Sequence, residues 1–126
     1  MLKGFKTQTD TLTDYELFQL VPAIVKCFQA NHIGRENAIT NDEMCKKLQY
    51  HNYNCNAVRM RKIINYIRRH NLVPCLIATS EGYYVTRSVQ EMDDFLASLK
   101  GREDAIRAVR VEMEKQRNSI ANYALF

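Results

Sequence analysis

The sequence has little of what marks several protein classes. Its 126 residues include only 4 glycines and 2 prolines, and 46% are hydrophobic, which excludes collagen-like and low-complexity chains. No apolar run approaches the ~20 residues that a membrane-spanning helix requires. The start, MLKGFKTQTDTLTD, contains no apolar segment of the kind found in secretory signals. We therefore expect a cytoplasmic protein that contacts no membrane, with one domain and an appended helix.

The cysteines are few and widely spaced. They stand at positions 27, 45, 55 and 75, without a C-x-x-C pair. In a chain without an export signal, we expect reduced and mostly buried thiols rather than a disulfide framework. A zinc site would recruit Cys45, His51 and Cys55, but their spacing matches none of the usual structural zinc pairs. We predict no metal ion and no cofactor.

The motifs of common enzyme classes are also absent from the sequence. There is no Gly-rich phosphate loop, no G-x-S-x-G and no H-E-x-x-H. The three histidines, at positions 32, 51 and 70, lie near predicted helix ends or turns. Asp93 and Asp94 are adjacent, so on a helix they diverge by about 100° and cannot act as an acid–base pair. We predict that the protein is not an enzyme and binds no evident small-molecule substrate.

What the sequence does have is a local concentration of positive charge. The net charge is only +4, from 18 Lys and Arg against 14 Asp and Glu. Between Met44 and His70 there is no acidic residue, whereas there are seven basic ones: Lys46, Lys47, Arg59, Arg61, Lys62, Arg68 and Arg69. The rest of the chain therefore sums to −3. Such a block favours a polyanion-binding surface; the alternative is a solvated outer face of a helix.

A first helix is predicted from a capping box and a hydrophobic period. Thr13 and Glu16 form the box, and residues 1–12 are expected to be a flexible N-terminus. The apolar residues at helical spacing are Leu17, Leu20, Val21, Ile24, Val25 and Phe28. Pro22 marks either a kink or the start of a second helical segment that runs to about Gln29.

Two further helices are predicted around a polar turn. A brief edge strand is expected at 37–40, and Thr40 or Asn41 caps the next helix, which ends before the turn-forming residues 49–54. A third helix begins near Asn54 or Asn56 and extends to about His70. Its predicted buried face consists of Met60, Ile63, Ile64 and Ile67. The opposite face consists of Val58, Arg61, Lys62, Asn65 and Arg69, flanked by Arg59 and Arg68.

A β-hairpin and a last helix complete the chain. Asn71 is a plausible left-handed cap after the third helix, which Pro74 prevents from continuing. Strands are predicted at 75–79 and 82–86, joined by a tight turn. Ser88 and Glu91 then form a second capping box that opens a helix.

These elements resemble the winged helix-turn-helix family, in particular the small winged-helix proteins of bacterial, prophage and mobile-element genomes. The resemblance covers about residues 37–105 and is carried by ITNDEMCKKL, NAVRMRKIINYIRRHNLVPCLIATSEGYYVT and SVQEMDDFLASLKGRE. It implies a winged helix-turn-helix: a three-helix core, a short strand and a β-hairpin wing. With the N-terminal helix and a C-terminal dimerisation helix added, we expect an α+β, mostly helical fold. The winged domain would span 13–87 and the helical extension 88–126.

The resemblance also implies a function, namely sequence-specific binding of double-stranded DNA with helix 54–70 in the major groove. The residues expected at the bases are Asn56, Ala57, Val58, Arg59, Arg61 and Lys62. Those expected at phosphates are Lys46, Lys47, Tyr50, Arg68 and Arg69. Tyr53 is expected to pack in the turn instead. Because Arg59 and Arg61 would both face the groove, we expect charge reversal at both positions to abolish duplex DNA binding and to leave the melting temperature nearly unchanged.

One feature of the hairpin departs from this pattern. Its tip carries Glu81 and no Lys or Arg, which argues against a wing that binds phosphates.

The protein would act as a dimeric transcriptional regulator or as a mobile-element or replication accessory factor. The alternative is a winged-helix adaptor that binds proteins and not DNA.

The last helix carries a heptad pattern. Apolar residues recur every seven positions at Met92, Leu99, Ile106, Met113 and Ile120. Three residues after each of them the apolar pattern is less regular, because Arg102 and Gln116 interrupt it. We expect a homodimer formed through Met92, Phe95, Leu99, Ile106, Val109 and Met113. The alternative is that this helix packs on the first helix of its own domain.

Overall fold

The computed structural model describes residues 11–123, and the chain divides into two compact units, Met1–Ser88 and Val89–Phe126. The described residues are mostly helical and include one antiparallel hairpin, which is compatible with the predicted α+β class. The helices are α1 (Val21–Asn31), α2 (Asn41–Tyr50), α3 (Ala57–Arg69) and α4 (Val89–Tyr123), and the strands are β1 (Leu76–Thr79) and β2 (Gly82–Val85). Within this part of the chain, no helix combines the length and hydropathy needed to cross a membrane.

A π-helical turn, Glu16–Leu20, leads into α1. The amide of Val21 donates to the carbonyl of Glu16, five residues back rather than four, immediately before Pro22. Pro22 therefore stands in the first turn of α1, where its missing N–H costs no hydrogen bond. This is the arrangement of two abutting segments, one of the two that Pro22 predicted.

The capping box at the start of this helix is confirmed. The amide of Thr13 donates to the Glu16 carboxylate at 2.8 Å, and the amide of Glu16 donates to the Thr13 hydroxyl at 3.1 Å. Leu12 is only 7% exposed and belongs to the core, although it was predicted within the flexible segment 1–12. The rest of that prediction, at residues 1–10, lies outside the described residues.

Side-chain caps also set the starts of α2 and α3. Thr40 and Glu43 form a reciprocal capping box at α2, and Asn56 accepts the Arg59 amide at 2.9 Å at α3. Asn54, the other candidate cap, instead donates its amide to the Tyr15 hydroxyl at 2.9 Å. Helix α2 continues through Tyr50, two residues into the predicted turn, because the chain reverses only at Asn52, whose φ is 66°.

The edge strand predicted at 37–40 is reduced to a single bridge. Residues Arg35–Asn37 form a 3-10 turn. The chain changes direction just before it at Gly34, whose φ is 90°. Within 37–40, only Ile39 pairs with β2: its amide donates to the Tyr83 carbonyl at 2.9 Å, and the Tyr83 amide donates to the Ile39 carbonyl at 2.8 Å. The connection between α1 and α2 thus fixes the position of the hairpin.

The core of the first unit lies under α3, and the predicted buried face of this helix is confirmed. Met60, Ile63, Ile64 and Ile67 are each 0% exposed. They share one cluster with apolar residues of the other elements, among them Ile24, Phe28, Met44, Leu48 and Leu76. Burial on one face fixes the rotation of α3 about its own axis, so the opposite face must point to solvent.

Helix α4 forms the second unit. It begins directly after Ser88, as the capping residues predicted, and runs 35 residues without interruption through Gly101. Its apolar side chains from Leu96 to Ile120 are largely exposed. Phe95, which was predicted at the dimer contact, is only 9% exposed within the single chain.

The close approach of Ile39 to the hairpin makes a prediction at Gly82. Gly82 has a φ of 123°, and an added Cβ would lie 2.5 Å from the Ile39 carbonyl oxygen. We expect Gly82→Ala to reduce the free energy of unfolding by about 2–3 kcal/mol, from backbone strain and the clash. Urea unfolding followed by circular dichroism measures it.

Gly101→Ala is the matched control, because an added Cβ there meets nothing within 4 Å. It should leave stability unchanged or raise it by about 0.5–1 kcal/mol, as alanine is the better helix former. Equal stability of Gly82→Ala and the parent would contradict the tight Ile39 contact.

Candidate nucleic-acid interface

The outer face of α3 is the surface that the charge pattern predicted. Val58 is 54% exposed, and Arg61, Asn65 and Arg69 are also exposed, whereas Lys62 is half-buried. These residues lie opposite the buried isoleucines, so the core holds them outward. Asn65 belongs to this face although it was absent from the predicted DNA contacts; the helical period alone places it there.

Arg59 does not share that face. Its Nε donates to Oε2 of Glu16 at 2.7 Å, and its Nη2 donates to Oε1 at 2.5 Å, so the two groups form a bidentate ion pair. Glu16 is only 4% exposed, and the Arg59 side chain is 29% exposed. The pair joins the start of the first helix to the first turn of α3.

The base contact predicted for Arg59 therefore needs correction. The guanidinium is directed toward the first helix because Arg59 stands at the flank of α3 rather than at its centre. A carboxylate that is nearly excluded from water requires a cation, so Arg59 is part of the fold. The sequence contained no sign of this partnership, since Glu16 is 43 positions away and was assigned to the capping box alone.

The ion pair changes the acidity of Glu16. The Arg59 guanidinium holds the pKa of the Glu16 carboxyl below its ordinary value of 4.5, and the Thr13 amide and hydroxyl lower it further, against the opposing effect of burial. The carboxylate is thus the stable form in the folded protein. One of the seven cations in the basic block is consequently neutralised within the domain.

Arg68, on the other flank of α3, also contacts the protein. Its guanidinium carbon lies 5.8 Å from the centroid of the Tyr83 ring in β2, in the geometry of a cation–π contact. The residue is half-buried. Arg68 therefore connects α3 to the hairpin, and its predicted phosphate contact would have to be made from this position.

The predicted phosphate contacts on α2 differ in accessibility. Lys46 is exposed and Tyr50 is 84% exposed. Lys47 is half-buried, with its Nζ 3.5 Å from Nε2 of His32. Burial lowers the pKa of His32, which favours the neutral ring beside the lysine.

The N-termini of α2 and α3 are tied together. The Asn41 side chain donates from Nδ2 to the Ala57 carbonyl at 3.1 Å. The Asn56 side chain is occupied by its cap, since Oδ1 accepts the Arg59 amide. Bidentate contact of Asn56 with adenine would break this cap at a cost of about 1 kcal/mol. The cap thus argues against the base contact predicted for Asn56, whereas the contact predicted for the Ala57 methyl group stays a prediction.

The turn between the two helices is anchored from both sides. Tyr53 is half-buried against the core, which confirms its predicted packing role. The Tyr15 hydroxyl accepts the Asn54 amide from the first helix. At the hairpin tip, Glu81 pairs with Arg35 at 3.3 Å, both side chains being about half-exposed. The acidic tip is thereby neutralised by the 3-10 turn.

The thiols follow the expectation only in part. Cys45 and Cys55 are buried, Cys27 is half-buried and Cys75 is exposed. Burial raises the pKa of Cys55 to about 12, so this thiol stays protonated. In the range 11–123, no three His, Cys, Asp or Glu side chains are grouped closely enough to hold a metal ion.

Comparisons with protein-family models, with curated proteins and with solved structures gave no significant match to this chain. Function must therefore be inferred from the residues and their geometry.

The Glu16–Arg59 pair predicts a measurable loss of stability in Glu16→Gln. We expect the free energy of unfolding at pH 7 to fall by about 2–3 kcal/mol, because the guanidinium loses its buried anion. Glu81→Gln is the control, since it removes an exposed ion pair and should change stability by less than about 1 kcal/mol. Urea unfolding measures both.

The same pair predicts a pH dependence. Because the folded-state pKa of Glu16 is lowered, its contribution is complete above about pH 4.5 and is lost as the pH falls through the folded-state value. Stability of the parent should thus decline more steeply below pH 4.5 than that of Glu16→Gln. Parallel pH profiles for the two proteins would contradict the assignment.

Proposed function

We propose that residues 13–87 form a winged helix-turn-helix domain that binds double-stranded DNA through the outer face of α3. In this arrangement α2, the turn 51–56 and α3 are the helix-turn-helix, and β1 and β2 are the wing. The major groove, about 12 Å wide, accepts one helix, and such domains place the second helix of the motif there.

The proposal rests on one observation: the solvent face of α3 carries cations and no acidic residue, and burial of the opposite face fixes its orientation. Arg61 and Arg69 are exposed two turns apart on the side opposite four fully buried residues. Asn65 stands between them and adds an amide that donates and accepts hydrogen bonds. A merely solvated face needs no such restriction to one sign of charge.

The proposed contacts follow from the chemistry of each exposed side chain. Arg61 is suited to bidentate contact with guanine, Asn65 to adenine and Val58 to a thymine methyl group. Lys62 and Arg69 are suited to phosphates, together with Lys46 and Tyr50 of α2. Compared with the sequence-based assignment, Asn65 is added to the base contacts, and Lys62 moves from the bases to the phosphates. The residues withdrawn from the bases are Asn56 and Arg59, whereas the contact of the Ala57 methyl group stays a prediction.

Arg59 and Arg68 act indirectly in this proposal. Each anchors one flank of α3, through Glu16 and Tyr83 respectively. The two anchors hold the groove-facing side in a fixed rotation, so little ordering is needed when DNA binds. A homodimer would present two such helices to half-sites separated by one helical turn of DNA, about 34 Å, or by a multiple of it, as expected for a transcriptional regulator or a mobile-element or replication accessory factor.

The adaptor alternative also has specific support. The wing tip is an ion pair, Glu81 with Arg35, and offers no cation dedicated to phosphate. Phe18, in the π-helical turn, is 72% exposed, and exposed aromatic residues are common in protein interfaces. Absence of binding to random duplex DNA at low salt would favour this adaptor role.

The DNA-binding proposal predicts the effect of a double charge reversal. Arg61→Glu/Arg69→Glu should abolish the shift of duplex DNA in gel electrophoresis, because both exposed arginines of the outer face become anions, while the melting temperature stays within about 2 °C. Arg107→Glu is the control, an exposed reversal on α4. Equal binding by the double variant and the parent would remove the proposal.

Arg59→Glu should behave differently from the double charge reversal on the outer face. It would set a second carboxylate against Glu16 and is expected to lower the melting temperature markedly, since like charges are then partly buried together. This outcome would be the opposite of the sequence-based expectation, in which charge reversal at Arg59 leaves the melting temperature nearly unchanged. Thermal unfolding followed by circular dichroism checks it.

A further inference from the structure

Helix α4 exposes a stripe of apolar side chains. The exposed fractions are 39% for Leu99, 68% for Ile106, 62% for Val109, 49% for Met113 and 70% for Ile120. The spacing of three and four residues places them along one side of the helix. Contiguous exposed apolar surface of this kind marks an interface.

Charged residues border the stripe in a pattern that can select the partner. Glu103, Arg110 and Arg117 each follow an apolar stripe position by four residues and therefore lie along one edge. Glu112 lies along the other edge. Arg102 and Gln116 interrupt the stripe itself. Both signs of charge are present, so a second copy of α4 is a complementary occupant.

Parallel pairing of two copies would be unfavourable at the interruptions. In a parallel coiled coil each stripe residue meets its own counterpart. Arg102 would then face Arg102 of the second copy, and Gln116 would face Gln116. The arginine layer would bring like charges together at the centre of the interface, where they are desolvated.

Antiparallel pairing removes that conflict. With Ile106 opposite Val109 of the second copy, the two central layers are wholly apolar. The next layers set Arg102 against Met113 and Leu99 against Gln116, so no layer holds two polar residues. The same register places Glu103 of each copy beside Arg110 of the other, which forms two equivalent ion pairs across the interface.

The charges also disfavour neighbouring registers. A shift of one heptad in one direction would bring Glu103 beside Glu103. A shift in the other direction would keep opposite charges together, Glu103 with Arg117, but would set Arg110 beside Arg110 and Glu112 beside Glu112. Arg110 pairs within its own helix with Glu114 at 2.6 Å, both side chains being 59% exposed. Such exposed pairs contribute little, so the guanidinium remains available for Glu103 of a second copy.

We propose that α4 self-associates as an antiparallel two-stranded coiled coil centred on Ile106 and Val109. This specifies the expected homodimer by orientation and register. It does not depend on DNA binding, because the residues involved all lie in the second unit.

Sedimentation equilibrium of charge variants of the full chain tests the pairing. We expect Glu103→Arg and Arg110→Glu each to weaken dimerisation by about tenfold or more, since each creates two like-charge contacts. The combined variant Glu103→Arg/Arg110→Glu should restore the parent Kd to within about threefold. Recovery in the double variant also shows that the single variants had not simply misfolded.

Glu112→Arg is the matched control. In antiparallel pairing Glu112 lies beside Ala105 of the second copy, so its reversal should leave the Kd unchanged. In parallel pairing it lies beside Arg117, so its reversal would weaken the dimer while Glu103→Arg would not. That inverted pattern would overturn the proposal, as would a parent chain that is monomeric at tens of micromolar.

Orientation can be measured directly with a spin label at Asn118→Cys, in a chain whose Cys27 and Cys75 are replaced by serine. In the proposed register the two labels are offset by 21 residues, or about 32 Å along the axis at 1.5 Å per residue. Pulsed electron resonance should therefore give a label separation above about 30 Å. A separation near 20 Å or below would indicate parallel helices and contradict the proposal.

Discussion

The ion pair between Glu16 and Arg59 is the interaction on which the arrangement of the first unit depends. It joins two segments that are distant in sequence at a place where the carboxylate is almost fully excluded from water. A buried anion without a cation would be strongly destabilising, so the two helix ends are constrained to meet. The hydrogen bond from the Asn54 amide to the Tyr15 hydroxyl reinforces the same junction from the turn.

This constraint changes the meaning of the basic block. A count of seven cations without an acid treats them as one surface, but the five on α3 differ in what they contact according to their position on the helix. Arg59 and Arg68 hold its flanks, to Glu16 and to the Tyr83 ring, while Arg61 and Arg69 remain exposed. Charge at the flanks contributes to the position of the helix, and charge at the centre is available to a polyanion. The proposed specificity thus depends on fewer cations, held more firmly.

Much of the local structure could be predicted from the sequence, because capping boxes, helical periods and turn residues act over three or four positions. Thr13, Thr40 and Asn56 are caps, and the buried face of α3 is as its spacing indicates. The partner of Arg59 could not be predicted in this way. An unbroken α-helical period places Leu17 on the buried face, whereas the π-helical turn brings Glu16 there and leaves Leu17 half-buried. The prediction of an edge strand was wrong for a similar reason, since the turn at Gly34 cannot be read from the spacing of apolar residues.

The π-helical turn before Pro22 is equivalent to one residue inserted into an otherwise regular helix. Each residue of an α-helix advances the helix by about 100°, so an insertion rotates everything on its N-terminal side relative to α1. Removal of one residue from this turn would restore a regular helix and swing the Glu16 carboxylate away from Arg59 by that angle. The chain length between Thr13 and Pro22 is therefore as much a determinant of how α3 is held as the identity of the charged residues.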